Sequence, residues 1–193
     1  MAVPAHHDPD IGGDQADLRA AATGDARAAS RLYDAHARTI YAIGLSMLRS
    51  PTQAEDVVQD SFLRLWRHID DLARDAVPLR PWLIRVASNR CIDILRKHGE
   101  VCDDGMPEPM DAAPGPHDQL ATAQLGAEID RALLAITDGQ RLALTLTAKL
   151  GLSTREAANA MDMGERAVES LVARAKKALR RKLADVAADF IER

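Results

Sequence analysis

Two kinds of side-chain cluster in this sequence could do chemistry. The first is a run of metal-ligand types, His6, His7, Asp8 and Asp10, in a polar N-terminus without apolar periodicity. A zinc site needs ligands held at fixed spacing on ordered elements, so this run reads as a chance cluster. His36, His68, His98 and His117 have no Ser or Cys partner at a recognisable catalytic spacing, and no glycine-rich phosphate loop occurs. Cys91 and Cys102 cannot form a disulfide framework, and neither sits in a CxxC or other metal-ligand spacing. Cys91 falls on an apolar stripe and reads as a small core residue, while Cys102, in a polar stretch, stays open to oxidation. No enzymatic activity, metal or cofactor is expected. The second cluster is ARAKKALRRKL, residues 173 to 183, six Lys and Arg in eleven positions of a chain with a formal net charge of -4. Clustered cations displace counterions from phosphate, and that chemistry is nucleic-acid binding.

Those cations need a helix to align them. Val168, Leu171, Val172, Ala175, Leu179 and Leu183 recur every three or four residues and define a buried face. Arg166, Glu169, Ser170, Ala173, Arg174, Lys177, Arg180 and Arg181 fall mostly opposite. From 165 to 183, seven Lys and Arg stand against two Glu. The helix dipole alone favours cations near a C-terminus, which accounts for Arg180 to Lys182 but not for the residues upstream. There Gly151 closes one helix, Ser153 and Glu156 form a capping box for a short one, REAANAM, and Asp162, Met163 and Gly164 turn tightly into the basic helix. A short helix, a three- or four-residue turn and a longer helix make a helix-turn-helix, whose second helix enters the DNA major groove.

The rest of the chain must carry this element. With 47% hydrophobic but only 3% aromatic residues, the core is built from Ala, Leu, Ile and Val, which suits packed helices better than sheet. The expected fold is all-α, as two small helical domains. Residues 99 to 139 hold nine acidic residues against Arg131 alone, and GEVCDDGMPEPMDAAPGPHDQ concentrates Pro, Gly and Asp with no apolar period. That stretch reads as a flexible acidic linker, either simply solvated or imitating nucleic-acid charge inside a basic channel. The expected organisation is a disordered 1–16, a first domain over 17–98, a linker over 99–119 and a second domain over 120–193. No eighteen-residue apolar run occurs, and MAVPAHHDPDIGGDQ has neither a basic nor an apolar leader segment. A soluble, cytoplasmic protein without membrane insertion is therefore expected.

In the first domain, Leu32, Ile40, Ile43 and Met47 lie at helical steps within 17–49, and SPTQ offers Ser50 as N-cap, Pro51 at the first helical position and Gln53 for a capping box. In the helix that starts there, Ala54, Val57, Val58, Phe62, Leu65, Trp66 and Ile69 make the buried face, opposite Glu55, Asp56, Gln59 and Asp60. A loop, DDLARDAVPLRP, ends in Pro81 and leads into WLIRVASNRCIDILRKH. There Leu83, Val86, Ala87, Cys91 and Ile94 can face inward, leaving Trp82, Arg85, Asn89, Asp93 and Arg96 outside. Such a face can grip a nucleic-acid strand by phosphate contacts and stacking. It can equally be a solvated face with local Arg85–Asn89 and Asp93–Arg96 pairs. In the second domain, Leu125, Ile129, Ala132, Leu133 and Ile136 mark a helix, and Thr137 and Gln140 a capping box for the next. The alternation of Leu142, Leu144 and Leu146 fits that helix or a short strand.

Taken in order, AEDVVQDSFLRLWR, RPWLIRVASNRCIDILRKH, the acidic linker and LGLSTREAANAMDMGERAVESLVARAKKALRRKL resemble the bacterial RNA polymerase sigma factors. They are similar to the extracytoplasmic-function (ECF) group, which has regions two and four only. The resemblance covers about residues 25 to 98 and 120 to 185. It implies a transcription initiation factor that binds core RNA polymerase and directs it to promoters. By the resemblance, Asp56, Gln59 and Asp60, with Leu63 and Trp66, match the surface that docks on the clamp helices of the largest polymerase subunit, and an acidic face suits a basic partner. Trp82, Arg85, Asn89, Asp93 and Arg96 match the part that meets the minus-ten element, read as melted strand with a base captured by the loop at 70 to 80. Arg166, Glu169, Ser170, Ala173, Arg174 and Lys177 match the helix that faces the double-stranded minus-thirty-five element. The resemblance also implies contact with the flap of the second subunit, a linker threading the RNA exit path, and control by an anti-sigma protein.

This sequence departs from the family pattern at the recognition helix. Glu169 stands where many relatives carry Lys or Arg; a carboxylate accepts from cytosine but repels phosphate. Leu171 replaces a frequent Arg, and Ala173 occupies a position that is often aromatic, leaving a small apolar contact such as one to a thymine methyl. Two other readings stand beside this one: a sigma-like decoy that titrates an anti-sigma protein, and a stand-alone helix-turn-helix repressor. The DNA-facing cations Arg85, Arg96, Arg174 and Lys177 speak against the decoy. The docking motif at 54 to 67 speaks against the repressor, which needs no polymerase.

Overall fold

Short polar signals set the ends of the helices. Between residues 17 and 49, Gly24 takes φ 95° and Asp25 caps the next helix, its carboxylate accepting from the N–H groups of Arg27 at 2.8 Å and Ala28 at 3.3 Å. That stretch is therefore two helices, α1 (Ile11–Ala22) and α2 (Ala26–Leu48). In the computed structural model, residues 11–101 and 136–191 are described, with side chains over 13–97 and 136–182. Because α1 starts at Ile11, the disorder expected over 1–16 is corrected from that residue onward. Ser50 caps α3 (Pro51–Arg67), accepting from the Gln53 N–H at 3.3 Å, with Pro51 at the first position, where its missing N–H costs nothing.

The loop expected over 70–80 is mostly helical. After a break at His68 comes α4 (Ile69–Arg74), whose Asp70 and Asp71 sit in its first turn and Arg74 in its last, the charge order the helix dipole favours. Only residues 75 to 78 form the turn. Then α5 (Leu79–Val101) begins two residues ahead of Pro81, which is tolerated because first-turn N–H groups have no intrahelical acceptor.

Beyond the acidic segment, α6 (Asp138–Leu144) opens on a complete Thr137–Gln140 capping box and runs into a π-helical turn over Thr145–Lys149. No strand forms there. Leu142 and Leu146, four residues apart, are both fully buried, so the leucine alternation is a by-product of helical spacing. Gly151, at φ 68°, precedes α7 (Thr154–Met161), and α8 (Glu165–Ile191) follows. Of the helix expected around Leu125, Ile129, Ala132, Leu133 and Ile136, all but Ile136 lie outside the described residues; Ile136 is buried.

Helices α2, α3 and α5 form the first core around Ile40, Ile43, Met47, Val57, Leu65 and Leu83, with α1 laid against α2 and α4. A Cβ placed on Gly44 would stand 2.9 Å from the Cα of Ala54, so only glycine allows α2 and α3 to cross this closely. The second unit does not stand apart. Leu142, Leu146, Leu152, Ala157 and Val168 join the same apolar core, as α6 meets α2 and α7 packs on α5. Arg141 fastens the contact: its buried guanidinium donates to the Met47 carbonyl at 2.9 Å and lies 3.2 Å from the Asp138 carboxylate.

Candidate functional site

Helix α3 presents its polar side as expected. Ala54, Val57, Val58, Phe62 and Leu65 are buried, while Asp56 and Gln59 are exposed and Leu63 is 43% exposed. Asp60 has a second task, because its carboxylate meets the Arg90 guanidinium of α5 at 2.6 Å and so ties two helices together. Trp66 is half-buried in a row of rings, with its centroid 6.0 Å from Phe62, which in turn lies 4.8 Å from Tyr33. Beside the row runs a groove of about 480 Å³ lined by Tyr33, Tyr41, Gln59, Phe62, Leu63 and Trp66. Tyr33 and Tyr41 come from α2 and were missed from the sequence; with Ala37 they form a second stripe at i, i+4 and i+8. Exposed large apolar side chains beside carboxylates and an amide make a surface for a partner with apolar and basic groups.

On α5, Arg85, Asn89, Asp93 and Arg96 face solvent, and Leu83, Ala87 and Cys91 are buried. The inward stripe is wider than the periodicity suggested: Ile84 and Ser88 are also buried and Val86 and Ile94 only half-buried, because α5 packs against α2, α3 and α7 together. Trp82 is a correction to the outer stripe. Half-buried against the core, it lines a cavity of about 300 Å³ with Arg64, His68, Asp71, Leu72, Asp75 and Val77. The expected base-capturing segment thus forms one wall of a cavity with an indole in it. Burial pushes the Cys91 thiol up to about 12, which keeps it protonated and inert, a core residue.

The helix-turn-helix is built by reciprocal caps. The Ser153 hydroxyl accepts from the Glu156 N–H at 3.2 Å, and the Glu156 carboxylate accepts from the Ser153 N–H at 2.8 Å. The Ser153 hydroxyl also donates to the Glu156 carboxylate at 2.6 Å, and this bond first, with that from the Ser153 N–H second, holds the Glu156 carboxyl below its ordinary value. Asp162, left-handed at φ 54°, ends α7. On α8, Val168 and Ala175 are fully buried, whereas Arg166, Glu169, Ala173, Arg174, Lys177, Arg180 and Arg181 are exposed. Ser170 is half-buried, and its hydroxyl accepts from the Arg174 guanidinium at 2.9 Å.

One ion pair joins two of these surfaces. Arg85 of α5 stands 3.0 Å from Asp162, in the turn that leads into α8. No group of three His, Cys, Asp or Glu side chains among the described residues could hold a metal ion. His6, His7, Asp8, Asp10 and Cys102 lie outside the described residues. No helix among those described is long and apolar enough to cross a membrane.

The same segments match known families. The Sigma-70 region 2 profile matches residues 32–101 and the Sigma-70, region 4 profile residues 126–179. RNA polymerase sigma factor NccH of Alcaligenes xylosoxydans xylosoxydans is 34% identical over 179 residues, covering 89% of this chain and 94% of the relative. ECF RNA polymerase sigma factor SigL of Mycobacterium tuberculosis is 31% identical over 171 residues, covering 83% and 91%. The chain belongs to the ECF sigma factors. As a sigma factor it directs promoter-specific transcription initiation by RNA polymerase. Its fold is similar to that of CnrH, solved in complex with the cytosolic domain of CnrY, with a TM-score of 0.68, 28% identity and coverage of 90% of this chain and 98% of that one. The sigma factor RpoE of Bartonella quintana, solved with the anti-sigma factor NepR, shares the fold at a TM-score of 0.65 and 23% identity, over 80% of this chain and 96% of that one. In this sigma factor the region 2 match takes in most of α2 and all of α3 to α5, and the region 4 match takes in α6, α7 and α8 as far as Leu179.

Proposed function

We propose that this sigma factor docks on the clamp helices of the largest polymerase subunit through Asp56, Gln59, Leu63 and Trp66, with Tyr33 and Tyr41 completing the surface from α2. The minus-ten element meets α5 through Arg85, Asn89, Asp93 and Arg96, and an unstacked base enters the cavity beside Trp82. The minus-thirty-five duplex meets Arg166, Glu169, Ser170, Ala173, Arg174 and Lys177 of α8 in the major groove, while the second domain sits on the flap of the second subunit. The acidic segment takes the RNA exit path, and catalysis stays with the polymerase. The observation that carries this division is that each face, apart from the half-buried Tyr41, Trp66, Trp82 and Ser170 at its edge, is the solvent side of a helix whose opposite side is buried in the core. Such faces contribute little to folding and are open to partners. The complex of CnrH with the cytosolic domain of CnrY supports a protein partner for this chain too; in our reading that partner is an anti-sigma protein that covers the same docking surfaces.

The docking face is tested with Leu63→Asp. Leu63 is 43% exposed, so helix content should be unchanged. Losing the apolar contact should weaken binding to purified core polymerase about tenfold or more. Wild-type affinity in this variant would reject the α3 face as the docking surface.

A further inference from the structure

Helix α1 precedes the residues matched by the region 2 profile, which begins at 32. It is nonetheless firmly anchored. Asp14 pairs with the buried His36 at 3.0 Å, Asp17 pairs with Arg31 of α2, and Leu18 is fully buried. Asp14, Asp17 and Leu18, at i, i+3 and i+4, therefore share the face turned to α2. Gln15 lies about 100° further round the helix and reaches the turn between α4 and α5, where its side-chain amide donates to the Val77 carbonyl at 2.7 Å. The amide orientation follows from chemistry, since the opposite one would set two oxygens against each other.

That turn needs outside support. Ala76 adopts φ 49°, in the left-handed region that a Cβ disfavours. Val77 is gripped from both sides, its N–H donating to the Leu72 carbonyl at 3.2 Å and its own carbonyl taking the Gln15 amide. Val77 also lines the cavity beside Trp82. We infer that Gln15 is a positioning residue for this cavity: α1 holds the Val77 backbone so that the wall formed by Asp75 and Val77 has one shape, and that shape selects the captured base. The inference rests on the proposed reading of the cavity.

The test uses the full chain bound to core polymerase and single-stranded oligonucleotides in which each position of the non-template minus-ten element is varied in turn. Gln15→Leu keeps the bulk and removes the donor; Trp82→Ala is the control for the cavity itself. We expect Gln15→Leu to flatten base preference at one position about fivefold or more, out of the roughly 5- to 150-fold that a mismatched base usually carries, with other positions and core affinity unchanged. Hydrogen exchange of the free protein should show the amides of residues 75–77 opening faster while α5 stays protected. An unchanged Gln15→Leu profile beside an altered Trp82→Ala profile would overturn the inference alone. A profile that Trp82→Ala leaves untouched would overturn the cavity reading, and the inference with it. Uniform weakening at every position would make Gln15 merely structural, which also counts against it.

Discussion

Arg174 shows how much chemistry a single exposed residue of α8 can carry. Its guanidinium is held by the Ser170 hydroxyl one turn back, so part of the ordering needed to meet a base edge is already in place. Arg174→Ala should cost about 1–3 kcal/mol of promoter affinity, concentrated at one base pair, if the contact is to a base edge. A competition series over single-base promoter variants measures this, and an equal loss on every sequence would make Arg174 a phosphate contact. Residues facing solvent, such as Asp56, Gln59, Asn89 and Arg174, were legible because helical period alone decides the side they take. Residues with long-range partners were not. Nothing near Asp60 in sequence announces Arg90, and nothing near Arg85 announces Asp162, so at Arg85 a tertiary pair stands where the solvated reading of α5 offered a local one to Asn89.

At the scale of the element, the caps were the most legible feature because donor and acceptor sit within four residues of each other. Thr137–Gln140 and Ser153–Glu156 are both complete boxes. Ser153→Ala should destabilise the protein by about 1 kcal/mol at neutral pH. Part of that loss depends on pH. The Glu156 carboxyl is held below its usual 4.5, so the cap's ionic contribution is full above that value and fades as pH falls through the lower folded value. Thermal melts at pH 7 and pH 3.5 should show the gap between wild type and Ser153→Ala narrowing in acid, without closing, since the neutral hydroxyl still accepts from the Glu156 N–H. A gap that widens in acid would contradict this account. Helices α4 and α1 escaped the sequence reading for a different reason. α4 has only six residues, too few for periodicity to show, and α1 is held by Asp14, Gln15 and Asp17 reaching residues 14 to 62 positions away.

For the whole molecule, two helical units and a helix-turn-helix were readable, but their packing was not, because Arg141 gives no local sign that its partner is the Met47 carbonyl. That packing has a consequence for promoter binding. Elements centred at minus ten and minus thirty-five are about 25 base pairs, or roughly 85 Å, apart on B-form DNA. Here the turn before α8 touches α5 through the 3.0 Å pair of Asp162 and Arg85. Both elements can be engaged only if the units separate, breaking the Arg141–Met47 contact. Dyes placed at exposed Asp70 and Arg181 should therefore show a marked fall in energy transfer when core polymerase is added. Transfer unchanged by core would show that the closed packing persists in the holoenzyme.

In the proposed division of labour both units together select promoters for polymerase. Run-off transcription on fragmented genomic DNA, with purified bacterial core polymerase and sequencing of the transcript starts, tests it most directly. Adding this sigma factor should produce discrete new starts that share two upstream motifs about 25 base pairs apart, and Arg174→Ala should deplete starts that depend on the upstream motif. Core binding without new starts, or new starts that share only one motif, would contradict it.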